Sequence, residues 1–286
     1  YEFFKQMEAV FRTCGRGVPV FNDKHLSWSW DQALEMYEVS RELDFPLMAG
    51  SSLPVTWRVP AVEIPLGAQV EEAMCLGVSW IDGGDFHAYE AVQSMVETRQ
   101  GGETGVRWIQ GFRGDAFWQA HAEGLWSIEL FEACLSRSHI LKSSRPGFNH
   151  VFPSLDEMKA LVPDPWAYVY EHLDGLRCSV IALNGLVGDF NFAAQLAGRD
   201  RPLSTNLYLP MPSPPGTLAS FFTPLSHHME QMFRTGAPSY PIERTLLTTG
   251  LTEAGVDSLH RDGARIDTPH LDIAYQPADD STYWRT

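Results

Sequence analysis

Residues 18–26 read Val18-Pro19-Val20-Phe21-Asn22-Asp23-Lys24-His25-Leu26, and residues 45–50 read Phe45-Pro46-Leu47-Met48-Ala49-Gly50. Each opens on a short apolar run of the kind that forms a buried strand, with Pro19 near the start of the first. Between them Ser29-Trp30-Asp31-Gln32 has the Ser-x-x-Gln pattern of a capping box. Trp30, Ala33, Leu34 and Tyr37 share one face of the helix it opens, and Asp44 ends that helix. Strand, helix and strand with short joins make a βαβ unit. The strands at 18–22 and 45–50 are therefore expected to be parallel.

Upstream, Phe3, Phe4, Met7, Val10 and Phe11 repeat with helical spacing until Gly15 and Gly17. Downstream, Pro54, Pro60 and Pro65 mark 51–66 as a crossing linker. Ala88, Ala91, Val92, Met95 and Val96 form a helical stripe, with Asp85 ahead of it as the expected N-cap and Gly101-Gly102 as its end. A strand is expected at 106–112, a short helix near 127–135 and a Ser-, Arg- and Pro-rich loop at 143–154. Asp174-Gly175 is a hairpin signal within 167–183, and Asn184-Gly185 a second turn. Strands at 190–197 and 203–209 continue an antiparallel meander, which Pro-rich 210–215 closes. Thr223-Pro224 opens one helix and a second runs from about 241 to 260. The tail after Tyr275 is polar and expected to fray.

The expected class is α+β. A remnant parallel βαβ unit (1–57) precedes a C-terminal domain (58–275) with a largely antiparallel sheet covered by helices on one face, and 276–286 is a tail. The open apolar face calls for burial, so a homo-oligomer through the sheet is expected.

The 286 residues are 44% hydrophobic and 20% charged, enough apolar surface for a sizeable core. The formal charge of −15 repels phosphate backbones and anionic lipids, which argues against nucleic-acid and membrane partners. No apolar run approaches the ~20 residues of a membrane helix. Cys14, Cys75, Cys134 and Cys178 are widely spaced, without C-x-x-C. They read as buried, reduced thiols of a cytoplasmic protein.

Candidate chemistry lies at two places. Lys24 stands at the carboxyl end of the first strand, where ligands of open α/β sheets bind. It reads either as a solvated lysine or as a donor to a substrate hydroxyl. His87 falls in the first turn of the 88–96 helix, where the dipole disfavours imidazolium. It reads either as a first-turn residue or as a neutral general base. Asp82, Asp85, His87 and Glu90 also make an oxygen-and-imidazole set open to a divalent cation, at a spacing that matches no known loop. His227-His228 with Glu230 lacks H-E-x-x-H spacing and reads as surface. Trp28 and Trp30 have faces suited to sugar rings or to a core. No G-x-S-x-G, P-loop or G-x-G-x-x-G occurs.

The order of these features resembles the Gfo/Idh/MocA oxidoreductases. Asn22-Asp23-Lys24-His25 resembles the Glu-Lys-Pro segment of that family, and 82–91 its Asp-x-x-x-His helix start. The 167–185 hairpin, the 238–260 helix and the 264–275 strand resemble its C-terminal sheet and closing elements. The resemblance implies an NAD(P)-dependent dehydrogenase of sugars or polyols, with Lys24 binding the reacting hydroxyl and His87 exchanging its proton. Asp23 replaces the motif Glu, His25 the Pro, and Gly83 the Asp four before His87. Against the family the chain begins near the fourth helix, so the cofactor fingerprint is missing and NAD or NADP is expected to bind weakly. The alternatives are a metal-assisted hydrolase of a lactone or ester at the Asp82 cluster, and a non-catalytic binding or assembly module.

Overall fold

The computed structural model describes residues 1–142, 153–209, 220–278 and 282–285. Most of the expected 143–154 loop, and the 210–215 closure, lie outside them. The first helix, α1 (Glu2–Cys14), stops at Gly15, whose φ of 63° is the left-handed C-cap glycine tolerates. Strands β1 (Val20–Asp23) and β2 (Leu47–Gly50) flank α2 (Trp30–Glu42) and pair in parallel, with Val20 opposite Leu47.

The second sheet has eight strands. They are β3 (Arg58–Val59), β4 (Val70–Gly77), β5 (Val106–Arg113), β6 (Trp166–His172), β7 (Arg177–Ala182), β8 (Phe190–Leu196), β9 (Leu203–Leu207) and β10 (Ile266–Asp267), in the order β10-β5-β6-β7-β4-β8-β9-β3. All neighbours are antiparallel except β4 and β7. The hairpin at Asp174-Gly175 forms as expected, with Gly175 at φ 92°.

The meander does not run unbroken, because β4 lies between β7 and β8. Ala73 to Leu76 are all fully buried, two facing each side, so this strand has no polar alternation to signal it. The 51–66 linker likewise contributes β3, an edge strand on β9. The closing strand expected over 264–275 is reduced to Ile266–Asp267 and a bridge at Tyr275.

Two long helices, α3 (Gly83–Val96) and α8 (Ile242–His260), pack on one face of the sheet. Their Ala88, Val92, Met95, Leu247 and Leu251 meet Cys75, Tyr168, Val180 and Phe192. The short helices α4 (Asp115–Ala122) and α5 (Ile128–Leu135) add cover on the other face, where Phe117, Leu130 and Phe131 meet Met74, Leu76 and Ile181. The face the sequence reserved for self-association thus carries its own apolar cover. Helices α6 (Leu155–Leu161) and α7 (Thr223–Thr235) complete the described helices.

Four local readings change. Ser29 does not cap α2 through its side chain; Gln32 accepts from Ser27, and the Trp30 amide donates to the Glu253 carboxylate of α8 at 2.6 Å. Cys14 is exposed, while the other three thiols are buried and free. The C-terminal segment is docked rather than frayed: the Trp284 amide donates to the Val55 carbonyl, and Arg58 lies 4.1 Å from the Tyr283 ring centroid. His228 contacts the Thr282 carbonyl and His227 packs on Trp284, so this pair holds that segment instead of standing free on the surface.

An ion network ties the end of α3 to the β6–β7 hairpin. Glu103 is 2% exposed and meets Arg99 at 2.9 Å and His172 Nδ1 at 2.9 Å, and it accepts from the Thr104 and Gly105 amides. These partners hold its carboxyl far below the usual range despite burial. Glu103→Gln takes the buried carboxylate from Arg99 and the acceptor oxygens shared by His172 and two backbone amides. Urea unfolding at pH 7 is expected to show a loss of about 3–5 kcal/mol.

Candidate active site

The site assembles where three chain segments end together. The first is the end of β1. Lys24 has φ 67°, its amide donates to the Gly50 carbonyl at 3.0 Å, and its ammonium rests on Asp23 at 2.6 Å. Both of those side chains are largely exposed, so the pair is worth ~0–1 kcal/mol and is readily exchanged for another acceptor.

The second is the start of α3. Asp82, not Asp85, is the N-cap; Asp85 sits one turn in and its carboxylate accepts from the Asp82 amide at 3.3 Å. Asp85 is buried and accepts also from Ser79 at 2.6 Å, Trp166 Nε1 at 2.9 Å and Tyr168 at 2.7 Å. Burial raises its pKa, with these four bonds opposing. Asn184 grips both the amide and the carbonyl of Ser79, so the turn ahead of α3 is anchored to the sheet.

This anchoring aims His87 at the end of β1. His25 Nε2 lies 3.7 Å from Asp82, and its ring packs 5.3 Å from Phe86. The His87 ring is wedged between Trp80 and Phe190, and its Nδ1 is buried without a hydrogen-bond partner. Burial, then the nearby Lys24 ammonium, push the imidazole down to about 4, while Asp23 pulls the other way. His87 is therefore neutral near pH 7. Burial and a neighbouring cation act in the same direction as the helix dipole considered from sequence. Lys24, Asp23, His25 and His87 fall within electrostatic reach of one another.

The third is the end of β2. Glu90, one turn beyond His87 and 1% exposed, accepts from the Ser51 amide at 2.9 Å and the Ser51 hydroxyl at 2.5 Å. A Cβ on Gly50 (φ 122°) would lie 2.4 Å from Glu90 Oε1, so only glycine fits there. Burial raises this carboxyl to about 7 against the Ser51 bonds, with Arg244 opposing and Asp23 reinforcing. Sequence placed Glu90 only in a metal set, and the signal for its burial is the apolar stripe on both sides of it.

The metal set does not converge. Asp85 is turned into the sheet and Glu90 onto Ser51. No group of three or more His, Cys, Asp or Glu side chains among the described residues is disposed to hold a metal ion. The hydrolase alternative loses the cation it needs.

A dinucleotide pyrophosphate needs open amides at a helix N-terminus behind a parallel strand. Among the described residues, α2 and α3 are the helices that follow such strands. Each start already holds a carboxylate, Glu253 on Trp30 and Asp85 on Asp82. These residues do not fit the pyrophosphate.

Glu90 generates a pH prediction. It binds its proton more tightly folded (about 7) than its ordinary 4.5, so its stabilising contribution is full below pH 4.5 and declines as pH rises through 7. Glu90→Gln removes that decline. Thermal denaturation is expected to show the variant gaining on the parent from pH 5 to pH 8, by up to about 3 kcal/mol.

No protein-family model matches the chain, and no curated protein sequence matches it. Solved structures do match. One is myo-inositol 2-dehydrogenase from Lactobacillus plantarum, at 9% identity over 92% of this chain and 76% of that one, with a TM-score of 0.54. A second is an oxidoreductase from Agrobacterium radiobacter in complex with NAD+, L-tartaric acid and magnesium, at 12% identity, 92% and 76% coverage and a TM-score of 0.54. A third is levoglucosan dehydrogenase in complex with NADH, at 12% identity, 93% and 77% coverage and a TM-score of 0.51. No helix among the described residues is long and apolar enough to cross a membrane. The likeness extends over both sheets, and the chain carries the fold of the Gfo/Idh/MocA-type dehydrogenases.

Proposed function

We propose that this chain forms the alcohol-binding, proton-handling part of an oxidoreductase that acts on a sugar-like or polyol small molecule. The observation that carries the reading is that Lys24, at the end of β1, lies close enough to His87, at the start of α3, for its charge to act on the imidazole. In this reading residues 1–57 belong to a nucleotide-type unit and 58–275 to the substrate domain.

The chemistry follows from the two side chains. The Lys24 ammonium exchanges Asp23 for a substrate hydroxyl and stabilises developing negative charge on its oxygen. His87, kept unprotonated by its surroundings, accepts the hydroxyl proton. An imidazole at about 4 is a weak base near neutrality, so the transfer is strongest where the alcohol is already polarised by Lys24. Beside these groups Asp82 borders a cleft shared with Trp28, Trp30, Glu253 and His270. Trp28 is 73% exposed there, an aromatic face on which a sugar ring can stack. The similar structures named as inositol and levoglucosan dehydrogenases support a polyhydroxylated ligand.

Two measurements test the reading. Titration with a panel of inositols and monosaccharides, followed by ligand-observed NMR, is expected to find a binder whose affinity falls at least about tenfold in Lys24→Met, the loss of one charge-assisted hydrogen bond. Where turnover is found, His87→Ala is expected to lower it by roughly 10²–10⁴. Polyol binding and turnover that ignore both substitutions reject the assignment. Calorimetric titration of this chain with NAD and NADP is expected to show no micromolar binding. A micromolar constant for either nucleotide rejects the pyrophosphate argument.

A further inference from the structure

A second, small cavity lies away from Lys24 and His87. Its walls are Arg58 of β3, Glu63, the last turns of α3 at Glu97 and Thr98, Arg244 of α8, and Thr282 of the C-terminal segment. Its volume is about 70 Å³. A single water needs ~10–15 Å³ by such a measure, so the space takes a group of several heavy atoms.

Two arginines line it, and both are more than nine-tenths buried: Arg58 is 6% exposed and Arg244 1%. Arg244 spends Nε and Nη2 on the two oxygens of Glu97, at 2.9 and 2.5 Å, and its Nη1 is buried without a partner. Arg58 makes one bond of 3.3 Å, from Nη1 to the Val62 carbonyl, and its Nε is also buried without a partner. The acids nearby are already engaged. Glu97 takes Arg244 and the Tyr275 hydroxyl, and Glu63 takes the exposed Arg285. Among the described residues no carboxylate lies within ion-pair distance of Arg58. Three guanidinium groups therefore face two carboxylates.

A buried guanidinium without a counter-charge costs several kcal/mol unless something supplies one. Burial, with the neighbouring Arg244 charge, pushes Arg58 down to about 10 against Tyr283, Glu63 and Glu97. Its planar fork, 4.1 Å from the Tyr283 ring centroid, suits an oxyanion.

We propose that this cavity is a binding site for a small oxyanion of phosphate size, held between Arg58 and Arg244. The small volume favours a free ion over the phosphate group of a larger metabolite. The anion neutralises Arg58 and accepts from the two orphaned N–H groups. It thereby ties β3 and the C-terminal segment to the α3–α8 pair.

The test uses the full chain in phosphate-free buffer, with potassium phosphate added at constant ionic strength against potassium chloride. Thermal unfolding is expected to rise by a few degrees at millimolar phosphate, as for any ligand bound only by the folded state. Line broadening of the 31P resonance should report the same occupancy. Arg58→Met is expected to abolish both effects while being no less stable than the parent without phosphate. Arg58→Lys keeps the charge without the fork and is expected to lose at least half the phosphate shift. Glucose 6-phosphate is expected to leave the melting temperature unchanged. An equal phosphate shift in parent and Arg58→Met would reveal a general salt effect and overturn the proposal. So would a parent indifferent to phosphate, or a sugar phosphate that stabilises as well as the free ion. Asp279 and Asp280 lie outside the described residues. If Asp279→Asn/Asp280→Asn abolishes the phosphate-free stability of the Arg58 region, as read by loss of Tyr283 quenching, the chain neutralises itself and the proposal fails.

Discussion

The buried carboxyl of Asp85 is the interaction on which the arrangement rests. It binds the turn before α3 through Ser79 and the sheet through Trp166 and Tyr168, and it closes the helix start on Asp82. Remove it and the first turn of α3 has no fixed direction, while two buried donors of β6 lose their acceptor. The cost of leaving such donors unmade, ~1–3 kcal/mol each, exceeds what any surface contact in the region returns. Because Asp85 fixes the helix, His87 two residues on inherits its position from it, while Glu90 five residues on is held in addition by the Ser51 amide and hydroxyl of the first unit.

Helix α8 plays the corresponding part for the two cores. Leu247 and Leu251 face the large sheet, while Ile242 and Leu246 close the core formed by α1, α2 and β2. Thr245 and Thr249 on the same helix bond the Ala49 carbonyl and the Leu26 amide, so the ends of β1 and β2 are pinned to it. The candidate site lies on that seam. Its geometry depends on burial on both sides of α8 rather than on any loop.

Elements whose signal is local were legible in the sequence. The βαβ unit showed in its apolar runs, the hairpin in Asp174-Gly175, and α3 in its stripe. Lys24 and His87 were singled out by their position at element ends. What sequence could not show is interaction at long separation. The β4 core run looks like nothing in particular because every residue from Ala73 to Leu76 is buried. The capping box at Ser29 is locally plausible, yet Gln32 is taken by Ser27 and a carboxylate more than 220 residues away takes the Trp30 amide. Asp82 and Asp85 are interchangeable as caps until Trp166 and Tyr168 claim the second. Glu90 reads as a metal ligand until Ser51 is seen against it.

The dependence of α2 on Glu253 has a consequence for synthesis. Residues 1–50 leave the ribosome long before Ile242, Leu246 and Glu253, which supply part of their core and the amide partner of Trp30. At ~5–20 residues per second the interval is about 10–40 s. Through that time the core that holds Phe4, Phe11 and Phe45 lacks Ile242 and Leu246. Residues 1–50 are thus made well before the helix that completes their packing, and through that interval they need a chaperone's shelter.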